Sequence, residues 1–191
     1  MENLLTLAIS AILINNIVLS QFLGICPLLG VSRKKDSAIG MGLAVMFVIL
    51  GASILSYLLY HFVLDPLDIE YMNLISFILV IASFVQFTEM FIKKYSPSLY
   101  KSLGIYLPLI TTNCAVLYVA LANITSGYDF MEMITYSIAV PFGFMLVLII
   151  FSYIREKLDI APIPKAFKGN PVALIVAALM AIAFSGLAGL V

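Results

Sequence analysis

Apolar residues fill this chain in long runs, and charged residues cut it into six of them: Asn3–Ser32, Ser37–Leu64, Tyr71–Ile92, Ser102–Tyr128, Met133–Ile154 and Gly169–Val191. Each run reaches the roughly 20 residues that a helix needs to cross hydrocarbon. The pattern predicts an all-α integral membrane protein with six transmembrane helices. Glu89 is the one charge inside the third run, and the single histidine, His61, lies near the end of the second. No signal-peptide cleavage pattern follows the first run, and no polar stretch is long enough for an extramembrane domain.

Composition agrees. Hydrophobic residues make up 63% of the 191 and charged residues 10%, against about 25% charged in a soluble domain. That length leaves room for one domain, residues 1–191, and the apolar content places it in a lipid bilayer. A formal net charge of zero argues against a nucleic-acid partner. The placement of charge says more than its sum. All ten basic residues fall in three places: Arg33, Lys34 and Lys35; Lys93, Lys94 and Lys101; Arg155, Lys157, Lys165 and Lys168. The alternate loops carry acids only, Asp65, Asp68 and Glu70, then Asp129 and Glu132. Basic loops stay on the cytoplasmic side, so both termini are expected outside.

Two sets of three runs invite a search for duplication. A slide of 98 residues lays Leu13–Leu19 on Thr111–Leu117 and the third run on the sixth, dividing the chain into halves 1–98 and 99–191; the second and fifth runs match better at a smaller offset. A slide of 88 superposes Cys26 on Cys114 instead. Identity is low at either offset. With three helices each, such halves are inverted relative to one another, an arrangement that often sets a functional site on interrupted helices near the bilayer midplane.

The first and fourth runs carry signs of interruption. The first contains Asn15, Asn16, Gln21, Gly24, Pro27 and Gly30, and the fourth reads Leu107-Pro108-Leu109-Ile110-Thr111-Thr112-Asn113-Cys114. Pro and Gly are also common in membrane helices as mere kinks; here polar residues cluster around the only two cysteines. Cys114 stands thirteen residues from Lys101 and fifteen from Asp129, about 20 Å from either edge at helical rise. Cys26 is seven residues from Arg33, about 10 Å if helical and up to about 23 Å if extended. A shared depth therefore requires the segment after Cys26 to be largely unwound, with Pro27 and Gly30 as the residues that permit it.

Cysteine is often a small buried hydrophobe, and composition does not separate that role from a chemical one. Neither cysteine lies in the outward loops where oxidation is favoured, which argues against a disulfide. A tetrahedral or iron–sulfur site takes four ligands, and His61 is expected near the outer face, far from both thiols. Two thiolates are half a site, whose remainder another chain must supply.

The motifs become recognisable at this point. Asn15-Asn16 with Phe22-Leu23-Gly24-Ile25-Cys26-Pro27-Leu28-Leu29-Gly30-Val31-Ser32-Arg33-Lys34-Lys35 resembles the first helix of the A subunit of the bacterial Rnf complex, the ion-pumping ferredoxin:NAD oxidoreductase. Val85–Met90, Leu107–Val116, Ile154–Leu158 and Ser185–Val191 resemble the same family, so the likeness runs the length of the chain. The E subunit of the sodium-pumping NADH:quinone oxidoreductase is a close relative, but usually lacks Pro directly after the first cysteine.

The resemblance implies two inverted three-helix repeats with interrupted first and fourth helices, and a homologous partner of opposite topology (the E subunit of Rnf) within a larger complex of the bacterial inner membrane. It further implies one [2Fe–2S] cluster shared with that partner, with Cys26 and Cys114 as this chain's iron ligands. The cluster would pass single electrons across the membrane and couple ferredoxin/NAD chemistry to Na+ or H+ transport. No catalytic residue is expected in this chain. A four-thiolate [2Fe–2S] centre carries about −2 oxidised and −3 reduced, costly in hydrocarbon unless dipoles compensate; broken helices supply them, and Thr111, Thr112 and Asn113 are candidate donors from the surrounding shell.

Two other classes fit the residues alone. A secondary transporter also uses inverted repeats and broken helices, with incidental cysteines. A purely structural membrane protein needs neither thiol. Glu89 within an apolar run raises an ion-pathway role, yet Lys93 four residues on makes an interfacial helical pair the favoured reading. The charge asymmetry yields a prediction independent of any family. Reporter substitutions Lys34→Cys, Lys94→Cys and Lys165→Cys are expected to escape impermeant thiol reagents in intact cells, and labelling at any of the three contradicts the topology.

Overall fold

The computed structural model describes residues 2–32, 35–64, 72–95, 109–110, 112–162, 164 and 167–186, and these are mostly helical with no strand among them. In chain order the helices are α1 (Glu2–Ile9), α2 (Ile17–Ser20), α3 (Ile25–Val31), α4 (Lys35–Leu59), α5 (Asn73–Tyr95), α6 (Cys114–Thr125), α7 (Phe130–Ile160) and α8 (Asn170–Ser185). Wider π-type turns extend α1 over Ser10–Ile14 and α4 over Tyr60–Leu64.

Among the described residues three helices are long and apolar enough to cross a membrane: Ser37–Leu64, Asn73–Phe91 and Phe130–Ile160. The other apolar helices, Leu4–Ile14, Cys114–Thr125 and Asn170–Ser185, are shorter. Helix thus forms in all six apolar runs, and the first and fourth do not run through as single helices. Residues 65–71 and 96–108, the ends of the chain and the division at 98/99 lie outside the described residues.

The long helix α7 organises the packing. Its N-terminus is fixed by the acidic loop, where Glu132 Oε2 accepts the Asp129 N–H at 3.3 Å, a capping-box contact that also places negative charge at the positive helix end. Met133, Ser137, Val140, Phe144, Val147, Phe151 and Arg155 are buried along it at helical spacing and form a stripe against α4, α1 and the π turn that follows α1. The facing stripe of α4 is Met41, Val45, Val48, Ile49 and Ala52, all buried. By contrast, α5 buries a narrow line, Phe77, Ile81, Val85 and Thr88, and exposes Leu74, Ile75, Leu79, Phe87 and Met90, as an outer helix in lipid does.

Close approach of α7 to the first segment depends on Gly143. A Cβ there would lie 2.9 Å from both the Ile12 carbonyl oxygen and Asn16 Nδ2, and the backbone oxygen cannot swing aside. Gly143→Ala is therefore expected to cost about 1–3 kcal/mol of stability through overpacking, read as a lower midpoint of thermal unfolding in detergent. Gly40→Ala, with nothing within 4 Å of its added Cβ, is the matched control and should leave that midpoint unchanged or slightly raised.

Candidate functional site

The first segment breaks twice. After the π turn, Asn15 leaves helical geometry and Asn16 takes an extended conformation (φ −62°, ψ 118°). The Asn16 side chain repairs the ends on both sides. Its Oδ1 accepts the Val18 N–H at 3.1 Å, and its Nδ2 donates to the Ile12 carbonyl at 2.9 Å. Asn113 caps one side of the break in the fourth run, extended at φ −74° and ψ 114°, with Oδ1 accepting the Ala115 N–H at 3.0 Å. The two caps stand 97 residues apart (113 − 16), one off the slide of 98. Asn113 thus acts as a cap on the helix that begins with Cys114; its Nδ2 is buried without a partner among the described residues. Thr112 is exposed, and Thr111 lies outside the described residues.

The second break is the turn Gln21–Gly24. Phe22 and Gly24 both adopt positive φ, 54° and 78°. For a bulky side chain that conformation is strained, while Gly24 enters it freely. Gly24 is also packed flush, since a Cβ on it would meet the Phe144 ring at 2.8 Å. This turn aims the Gly24 N–H at Cys114 Sγ, which accepts it at 3.0 Å. A backbone group two residues before Cys26 is thereby bonded to the other cysteine, ninety positions away in sequence.

Cys26 is the second residue of α3 and Cys114 the first of α6. Both are exposed on the surface of the single chain and both stand in a first helical turn, whose N–H groups lack intrahelical acceptors. The unwinding expected after Cys26 is not present: Ile25–Val31 is helical, and the break lies before the cysteine. Pro27 is the third residue of α3, where a missing N–H costs nothing because no helical acceptor exists for it. A basic residue near the end of an apolar run is not by itself an interface marker. Arg155 lies inside α7, only 4% exposed.

Among the described residues no group of three His, Cys, Asp or Glu side chains gathers into a metal-binding cluster. Two thiols presented outward beside a backbone donor suit half of a site completed across an interface. Their soft sulfur set is the kind that iron–sulfur clusters use.

The other positions lie apart. His61 is exposed in the Tyr60–Leu64 turn, its ring 5.2 Å from that of Tyr57. Glu89 is half-buried on α5, one turn before Lys93. One feature had no signal in the sequence, a cavity of about 340 Å3 lined in part by Ser10, Asn15, Gln21, Tyr118, Tyr128 and Tyr136. Its lining comes from three stretches that only the tertiary fold unites.

The family model described as "Rnf-Nqr subunit, membrane protein" matches residues 4–191, nearly the full length. The chain belongs to the Rnf-Nqr family. Within this family it is 56% identical over 191 residues to the A subunit of the ion-translocating oxidoreductase complex of Aliivibrio fischeri, covering 100% of this chain and 99% of that one. It is 52% identical over 191 residues to the protein of the same description in Syntrophotalea carbinolica, with the same coverage. With the A subunit of the Na(+)-translocating ferredoxin:NAD(+) oxidoreductase complex of Acetobacterium woodii it shares 54% over 187 residues, 98% of this chain and 97% of that one.

Glu89→Gln probes the charge inside the third apolar run. The spacing to Lys93 is that of a helical pair, although Glu89 makes no ion pair among the described residues; the change is expected to cost under about 1 kcal/mol and to leave ion pumping intact in reconstituted vesicles. A variant that assembles and transfers electrons but fails to pump contradicts the pairing.

Proposed function

We propose that this chain is a membrane subunit of an ion-translocating ferredoxin:NAD oxidoreductase and contributes Cys26 and Cys114 to a [2Fe–2S] cluster shared with a homologous partner. The observation that carries the reading is the Gly24 N–H donated to Cys114 Sγ beside the helix that bears Cys26. Relatives described as ion-translocating oxidoreductase subunits, at 52–56% identity over essentially the whole chain, support the coarser part. When bound, a four-thiolate [2Fe–2S] centre supplies one-electron transfer.

This chain's own residues do four things for that chemistry. Cys26 and Cys114 offer two thiolates at the surface, where a second chain can complete the set. Gly24 directs an N–H at one sulfur, the type of contact that tunes a cluster's potential. Asn16 and Asn113 hold the broken backbone that presents them. Phe144, fully buried against Gly24, excludes water from the inner side. The partner is an opposite-topology copy of the fold, and the two together supply four sulfurs. In this reading the six apolar segments form two inverted repeats of three in the bacterial inner membrane, with both termini outside.

The hydroxyl- and amide-lined cavity bears on the ion side of the reaction. It shares Gln21 with the turn that positions Gly24, and its neutral oxygen lining suits water and a hydrated monovalent cation. A solute-carrier function has no counterpart among these relatives.

Co-expression tests the sharing. Alone, the chain is expected to bind iron weakly or not at all; with its homologous partner it should carry about two irons per pair and give the paramagnetic signal of one reduced [2Fe–2S] centre. Cys26→Ser and Cys114→Ser should each abolish that signal while still inserting in the membrane. A full-strength signal in either variant refutes the ligand assignment, and one in the isolated chain refutes the sharing.

A further inference from the structure

We infer that Arg155 is the positioning residue for Cys26: from α7 it holds the far end of the short helix that carries the cysteine. The inference rests on Cys26 being a cluster ligand, as proposed above. Helix α3 has seven residues, too few to be stable by itself. At its start, Gly24 is bonded to Cys114. At its end, the Arg155 Nη1 donates to the Leu29 carbonyl at 2.6 Å and to Ser32 Oγ at 2.8 Å. Leu29 belongs to the last turn of α3 and Ser32 is its C-terminal cap. The carbonyls of a last turn have no intrahelical donor, so the guanidinium fills a vacancy that every helix end leaves open.

The same side chain reaches a third element. Arg155 Nη2 donates to Asn170 Oδ1 at 3.0 Å, and Asn170 is the first residue of α8. One buried group, 4% exposed, therefore ties α3, α7 and α8 together. Arginine suits the task because its planar fork carries five donors in fixed directions, whereas lysine offers three from one point. Release of this clamp frees α3 to tilt or turn about the Gln21–Gly24 bend, and Cys26 moves with it. Cys114, on the separately capped α6, does not depend on the clamp.

The test uses the assembled complex with Arg155→Gln or Arg155→Lys in this chain. Hydrogen exchange across residues 25–31 should accelerate about tenfold in Arg155→Gln, the factor that losing one hydrogen bond to a charged group implies, with the 114–125 segment unchanged. Arg155→Lys should fall between that variant and the parent. In the same samples, redox titration followed by electron paramagnetic resonance should show a broadened cluster signal and a shifted midpoint potential. Unchanged exchange in 25–31 overturns the clamp. Faster exchange with an unaltered signal and potential makes Arg155 merely structural and overturns the positioning role. Equal acceleration in both segments is general loosening and overturns it as well. If Arg155→Gln does not assemble, Ser32→Ala and Asn170→Ala each remove a single acceptor. Ser32→Ala should then reproduce both effects at smaller size, and its failure to do so overturns the inference. Absence of any cluster signal in the parent complex counts against the shared cluster instead, and the exchange arm still decides whether Arg155 holds the Cys26 helix.

Discussion

Backbone polar groups in hydrocarbon must find partners within the protein, since each one left unsatisfied costs several kcal/mol. This chain interrupts its apolar segments in at least two places, so the freed N–H and C=O groups are its governing problem. Asn16 and Asn113 answer it at two breaks by the same device, an amide oxygen on the N–H two residues on. Gly24 answers it at another by giving its N–H to Cys114 Sγ. Arg155 answers it at the end of α3. The site and the stability of the breaks are one system, because the groups that repair the backbone also position the two thiols.

That coupling explains which helices are long. Helices α4, α5 and α7 are uninterrupted and α4 and α7 pack face to face, giving a frame against which the broken first segment leans. Gly143 lets α7 approach the backbone of Ile12, and Phe144 backs Gly24. Consecutive residues of one helix thus support both breaks of the first segment. The strained Phe22 is tolerated because the turn around it is held on both sides.

Much of the fold was legible in the amino-acid sequence because lipid imposes a one-dimensional rule: charges cut the chain, and apolar runs between cuts become helices. The breaks were legible too, since Asn15-Asn16 and Thr112-Asn113 are polar within apolar runs. Pro27 misled because proline disrupts a helix interior and is tolerated in a first turn, and only the structure shows that a helix starts at Ile25. Arg155 was hidden for a related reason. Charge alone places an arginine in a loop, whereas acceptors from Leu29, Ser32 and Asn170 converge on this one, a convergence that no local spacing reveals. The cavity beside Tyr118 and Tyr136 is likewise a product of tertiary packing.

What distinguishes this site is that it faces outward. A structural cysteine pair would be enclosed, yet Cys26 and Cys114 are both exposed while their supports, Gly24, Asn113 and Phe144, are buried. This backing behind two surface thiols is what the proposed shared cluster would require of each chain. The most direct measurement is a map of the assembled complex with iron located by anomalous scattering. A shared cluster requires a two-iron centre at the interface between the two homologous chains, bonded by Cys26 Sγ and Cys114 Sγ. Iron held elsewhere, or two thiols facing lipid with no metal between the chains, would contradict it.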